Sequence, residues 1–258
     1  ARQARPRSVT AKAQPTTSID PVEVGRFSKM SAMWWDTQGP FRPLHQINPV
    51  RLRYIRDRLC AQFARDPNST APLRGLRIAD IGCGGGLLCE PMRRLGAEVV
   101  GVDPSEENVE IARQHATEAA LEIDYVQATA EDLAAWGEKF DAVLNMEVIE
   151  HVSDVQSFVA ACAALLRADD SAMLLATLNR TLKAYVLAIV GAEYVLGWLP
   201  KGTHDWNRFV RPSELRATLA KAGLKITDLK GITYMPLPRE WQLSANLDVN
   251  YLAFATRT

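Results

Sequence analysis

The sequence contains no C-x-x-C pair. Its four cysteines, Cys60, Cys83, Cys89 and Cys162, are scattered over 258 residues. That spacing argues against a structural zinc site and fits a reducing compartment. Charge of one sign is also lacking: thirty basic and thirty acidic residues cancel. With no global field to attract a polyanion, no nucleic-acid partner is expected. No segment repeats. No run reaches the about 20 uninterrupted apolar residues that cross a bilayer, and the amino end lacks the apolar core of a secretory signal. What remains is an ordinary globular composition, 47% hydrophobic and 23% charged. The chain is long enough for one α/β domain with a substantial core and extensions.

The stretch Arg77 to Gly86 organises the rest. Ile78, Ala79 and Ile81 form a short apolar run, and Asp80, Gly82, Gly84 and Gly86 follow the spacing D-x-G-x-G-x-G. This predicts a buried parallel strand followed by a tight turn where a ligand can approach the backbone. A helix from Leu87 to Leu95 should follow. A dinucleotide turn, G-x-G-x-x-G, would need glycine where Leu87 stands. The crowded Gly84, Gly85 and Gly86 behind Asp80 instead resemble the first motif of the methyltransferases that use S-adenosylmethionine (SAM). A second apolar run, Glu98 to Asp103, ends in an acid 21 residues after Gly82. An acid at about that distance accepts hydrogen bonds from ribose hydroxyls; a helix-capping acid before Ser105 is the plainer alternative. Asp103 is thus a candidate cofactor residue beside Gly82 and Gly84.

Further strands are expected at Ile123 to Gln127, Phe140 to Met146 and Ser171 to Thr177. Leu224 to Met235 and Asp248 to Thr256 should close the sheet as an antiparallel pair. Helices are expected from Ser105 to about Ala120, along Val155 to Leu166, and after Ser213 as cap, ending at Gly223. Leu52, Ile55, Leu59 and Phe63 recur at helical spacing. The expected fold is therefore α/β and Rossmann-like: a seven-stranded, mostly parallel sheet with an antiparallel closing strand and helices on both faces. Residues 1–20, basic and rich in Ala, Ser, Thr and Pro, are expected to be a disordered tail, bacterial or a transit-peptide remnant. On that resemblance residues 21–258 are expected to form a methyltransferase domain, with 21–72 as a helical cap and 181–211 as an apolar lid or membrane-contact insertion.

Two regions carry a narrower resemblance. Trp34-Trp35-Asp36, Gly39, Phe41, Pro43-Leu44-His45, Ile47-Asn48-Pro49 and Arg51 look like the amino-terminal signature of the ubiquinone-biosynthesis O-methyltransferases. Val190-Gly191-Ala192-Glu193-Tyr194, Pro200 to Asp205 and Asp248 to Tyr251 continue it, so it spans roughly Val22 to the end. The resemblance implies a class I, SAM-dependent enzyme that methylates polyprenyl catechols and demethylubiquinol. It implies that Arg51 meets the carboxylate of the methionine moiety, which its planar fork suits. Ala128-Thr129-Ala130-Glu131-Asp132 occupies the place where the superfamily usually faces the adenine amino group with an acid. Here Thr129 stands where Asp is commoner. Met146 is expected to lie along the cofactor.

Glu147, Glu150 and His151 follow the fourth strand at i, i+3 and i+4, which would share one helical face. Three readings stay open: ligands of a divalent ion such as Mg²⁺, a general base or substrate contact centred on His151, or amide-satisfying structural groups. Residues 182–200 are too apolar for a connecting loop, and the flanks between Arg180 and Arg211 hold five basic and two acidic residues. Such a segment suits an anionic membrane surface, a lid, or a dimer surface. The expected location is cytoplasmic and peripheral on the inner membrane, or the matrix face of the mitochondrial inner membrane. Other enzymes of ubiquinone assembly are candidate partners. Rival readings are a methyltransferase with a soluble phenolic or quinone acceptor, a nicotinamide oxidoreductase, and a non-catalytic membrane adaptor.

Overall fold

The computed structural model describes residues 17–185, 205–235, 237 and 240–258. The expected basic tail thus falls almost wholly outside the described residues, as do Val186 to His204, most of the apolar insertion. Helix α1 (Pro21–Ser28) and a 3-10 turn (Ser31–Met33) lead to the long α2 (Arg42–Gln62). Then β1 (Arg77–Ile81), α3 (Cys89–Arg94), β2 (Glu98–Asp103), α4 (Glu106–Glu118), β3 (Asp124–Gln127), α5 (Ala130–Ala135) and β4 (Ala142–Met146) alternate. A 3-10 turn (Ile149–His151), α6 (Val155–Ala164), β5 (Ala172–Leu178) and a short turn of helix α7 (Leu182–Ala184) follow. The chain closes with α8 (Pro212–Lys221), β6 (Leu224–Met235), β7 (Glu240–Ser244) and β8 (Asn250–Arg257).

The sheet has eight strands in the order β3-β2-β1-β4-β5-β8-β6-β7. The first five pair in parallel, and β8 runs antiparallel between β5 and β6. Every residue of β4 and β5 is buried, as expected of central strands covered on both faces. The expectation of seven strands is corrected by β7. Glu240-Trp241-Gln242-Leu243-Ser244 alternates polar and apolar side chains, a half-buried strand pattern, and pairs with β6 as a hairpin.

Two further boundaries move. α2 begins ten residues before Leu52 because Pro43 sits in its first turn, where a missing N–H costs nothing. The proline that punctuates the loop also opens the helix. In α8 the first residue is Pro212, and the Glu214 carboxylate accepts the Arg211 N–H at 3.0 Å, so Ser213 does not cap it. Ser105 does cap α4, accepting the Asn108 N–H at 3.1 Å.

Candidate active site

The turn after β1 is built for close approach. Gly82 has φ +73°, and a Cβ there would lie 2.5 Å from a methyl of Val148. At Gly84, φ is +53° and a Cβ would lie 2.3 Å from the Trp34 ring. Only glycine meets both demands, a left-handed backbone and no side chain. Trp34 stacks on Phe41, ring centroids 3.7 Å apart and planes within 6°. Trp35 donates its indole N–H to the Gly85 carbonyl at 2.9 Å. The two tryptophans therefore pack on the glycine turn from the amino-terminal side, and α1 continues the cover.

Asp103, at the end of β2, is buried, and burial holds its carboxyl above the ordinary range despite three hydrogen bonds. Its Oδ1 accepts from the Ser105 N–H at 2.9 Å and from Asn108 Nδ2 at 3.1 Å; its Oδ2 accepts the Gly84 N–H at 2.9 Å. A carboxylate has about four acceptor sites, so one on Oδ2 remains for a ligand. The orientation of the Asn108 amide is fixed from its other end, because Trp34 Nε1 donates to Asn108 Oδ1 at 2.9 Å. Asp80, one strand inward, is fully buried, accepts the Cys89 thiol at 3.2 Å, and is pushed up to about 7 by burial.

Beyond β4 the chain turns through Glu147, a non-glycine residue at φ +59°. That kink presses Val148 onto Gly82. Glu147 pairs with Arg51, which lies buried in the middle of α2. Glu150 is buried, accepts from the Thr177 hydroxyl at 2.8 Å, and is driven well above the carboxylate range by desolvation and by Glu147. His151 Nδ1 lies 2.7 Å from Glu23 Oε2 of α1, and Phe27 meets the imidazole edge-on at 5.1 Å. Burial alone would raise the Glu23 carboxyl, but the interaction with His151, joined by the charges of Arg26 and Arg208, more than offsets that and lowers it.

The expected shared helical face is therefore not formed. Glu147 precedes the 3-10 turn in a left-handed conformation, Glu150 turns into the core toward Thr177, and His151 turns toward α1. No group of three or more His, Cys, Asp or Glu side chains placed to hold a metal ion occurs among the described residues.

One cavity of about 620 Å³ gathers the site. Arg51, Gly82, Gly84, Asp103, Thr129, Met146, Glu147 and His151 all line it; of the residues singled out from the sequence, Glu150 does not. Thr129 caps α5 with its hydroxyl, donating to Asp132 Oδ2 at 2.8 Å and accepting the Asp132 N–H at 3.0 Å, which leaves one acceptor lone pair on the oxygen. Among the polar side chains of the cavity that the sequence does not single out as ligands are Glu23, Asn108 and Glu131. Asn108 sits in the first turn of a helix whose cap was legible, and Glu131 lies in the segment assigned to adenine. Nothing in the sequence marks Glu23.

The methyltransferase domain family matches residues 79–174. The ubiquinone biosynthesis O-methyltransferase of Brucella ovis is 57% identical over 241 residues, 93% of this chain and 97% of that protein. The same enzyme of Mesorhizobium japonicum is 57% identical over 93% of this chain and 96% of its own length. This chain belongs to the ubiquinone biosynthesis O-methyltransferases. As a member it is a class I, SAM-dependent O-methyltransferase. Among solved structures, magnesium protoporphyrin IX methyltransferase from Synechocystis with bound SAH superposes with a TM-score of 0.62 at 25% identity, covering 91% of this chain and 95% of that one. The same protein with bound SAM gives 0.58 at 19% identity, with 94% and 100% covered, a likeness of fold.

The cavity fits SAM on its own terms. The glycine turn admits backbone approach, and Asp103 keeps an acceptor site for a ribose hydroxyl. Arg51 Nε and Glu131 Oε2 are buried and without hydrogen-bond partners among the described residues. A guanidinium nitrogen suits the carboxylate of the methionine moiety, and a carboxylate oxygen suits the adenine amine.

Proposed function

We propose that this enzyme methylates the phenolic oxygen of polyprenyl catechol and demethylubiquinol intermediates, with His151 as the base that removes the proton. The observation that carries the reading is that His151, braced by Glu23, lines the same cavity as Gly84 and Asp103. SAM supplies a methyl carbon made electrophilic by its sulfonium. Arg51 holds the carboxylate of the methionine moiety through Nε while Nη2 keeps Glu147. Asp103 takes one ribose hydroxyl. Glu131 Oε2 takes the adenine amine, beside the remaining acceptor lone pair of the Thr129 hydroxyl. Met146 lies beside the cofactor through soft contacts.

Glu23 accepts the Nδ1 proton of His151, which leaves Nε2 as the basic nitrogen. A free phenol ionises near pH ~10, so a base within hydrogen-bond reach lowers the barrier at neutral pH. Holding the phenolic oxygen in line with the methyl supplies on the order of 7 kcal/mol or more. Glu150, tied to the core by the Thr177 hydroxyl, supports the turn that presents His151. A divalent ion would meet His151 at Nε2, with Nδ1 kept by Glu23, and would compete with Arg51 for the Glu147 carboxylate. The test for it is turnover with and without a chelator.

The membrane-facing part of the reading rests on the sequence of residues 182–200 and on the lipid nature of the acceptor. No helix among the described residues is long and apolar enough to cross a membrane. Labelled SAM with a polyprenyl catechol and with a soluble catechol tests the acceptor. Methylation of the soluble catechol alone would end the polyprenyl reading. His151→Ala should lower kcat at least a hundredfold while the Kd for SAM stays within about threefold. Equal loss of both would make His151 a binding residue.

A further inference from the structure

The cavity extends past the reacting groups along an apolar wall that methyl transfer does not use. Helix α2 contributes Leu44 and Ile47, and the β6–β7 hairpin contributes Ile232, Tyr234 and Trp241. Tyr234 pairs with Trp241 across the hairpin, and Ile232 pairs with Leu243. These four side chains share one face, because residues two apart in a strand point the same way. The Tyr234 and Trp241 rings lie 5.3 Å apart.

Exposure rises along this face. Ile232 is 5% exposed and joins the main core, with Trp241 packed partly buried against it, and Tyr234 is 45% exposed. Past it stand Met235 and Leu237, and across the hairpin from Ile232 stands Leu243, all exposed. Single exposed apolar residues need no explanation, but here Tyr234 and Leu243 are exposed on the face that holds Ile232 and Trp241, and Met235 and Leu237 add apolar surface beyond Tyr234. A buried-to-exposed apolar ramp starting at the reaction centre suits a ligand whose polar head reacts inside and whose long apolar chain leaves.

We infer that the hairpin face of Ile232, Tyr234 and Trp241 is the subsite for the polyisoprenoid tail of the acceptor. It guides the tail from the reaction centre to the surface beside Met235 and Leu237. This rests on the acceptor proposed above. The occupant is the tail of the substrate; a bilayer touching the hairpin without threading it is the competing outcome.

The experiment compares kcat/KM for two acceptors with one catechol head, a long polyprenyl tail or a single prenyl unit, in mixed micelles with saturating SAM. Wild type, Tyr234→Ser and Trp241→Ser are measured, with vesicle sedimentation in parallel. Each variant should lower the long-to-short ratio about tenfold, through KM. Tyr234 lies at the rim, so its variant decides if Trp241→Ser disturbs packing and lowers both acceptors alike. An unchanged ratio in Tyr234→Ser overturns the subsite. Weaker vesicle binding with an unchanged ratio also overturns it and makes the hairpin a surface contact. Failure of the acceptor reading is read separately, in the wild type, as turnover of the short acceptor only.

Discussion

Asp103 shows how a single carboxylate is prepared by its neighbours. Trp34 fixes the Asn108 amide, Asn108 donates to Asp103, and one acceptor site is left over. Asn108→Asp would set two acids side by side and remove the donor. It should weaken SAM binding about tenfold or more, seen by calorimetry, with kcat at saturating SAM little changed. Trp34→Phe keeps the stacking on Phe41 but releases the amide, and should weaken binding less. Asp80 gives a pH dependence with a defined sign. Its pKa in the folded protein is about 7, above the ordinary 3.8. Folding therefore favours the protonated form, and the stability present below pH ~4 falls as pH rises toward 7, then levels. The cost at neutral pH is on the order of 3–4 kcal/mol. Denaturant melts of Asp80→Asn from pH 4 to 7 should show a flatter profile than wild type; an equal slope would mean the group ionises freely. The residues of the glycine turn, Asp103 and Met146 were legible because spacing alone places them at strand ends. Asn108 and Glu23 were not, because each depends on a partner distant in the chain.

At the scale of elements, the parallel half of the sheet was readable because its strands are continuous apolar runs separated by capped helices. The errors fell at the edges. The hairpin strand β7 follows prolines and carries only two large apolar side chains, and α2 starts within a proline-rich stretch that also reads as a loop. α1 was the least readable element, since none of its residues is fully buried. Yet its Glu23 reaches His151, Asp20 reaches Arg208 at 2.7 Å, and Ser28 donates to the Ser105 hydroxyl at 2.7 Å. Glu23→Gln should lower kcat by about tenfold to a hundredfold while shifting the thermal midpoint little, because the pair is at the surface of the core. Glu23→Asp should restore part of the loss. A variant that melts early and loses kcat and SAM affinity together would assign Glu23 to packing.

Across the whole molecule, the cofactor cavity lies between the amino-terminal cap and the carboxyl ends of β1, β2 and β4, so ligand occupancy and cap closure are linked. Saturation with SAM at 100 times its Kd should raise unfolding free energy by about 2.7 kcal/mol. It should also slow proteolysis within residues 17–41 more than at other exposed sites. Equal protection everywhere would make the cap a fixed part of the scaffold. Ser18 extends this linkage past α1. It is buried, its N–H donates to Glu131 Oε1 at 3.0 Å, and its carbonyl accepts from both the backbone and the hydroxyl of Ser153. One residue thus ties the edge assigned to the adenine ring to the edge that presents the imidazole. A chain trimmed to begin at Pro21 would keep every motif and still lose that tie-beam, and the two ends of the substrate chamber would then loosen together.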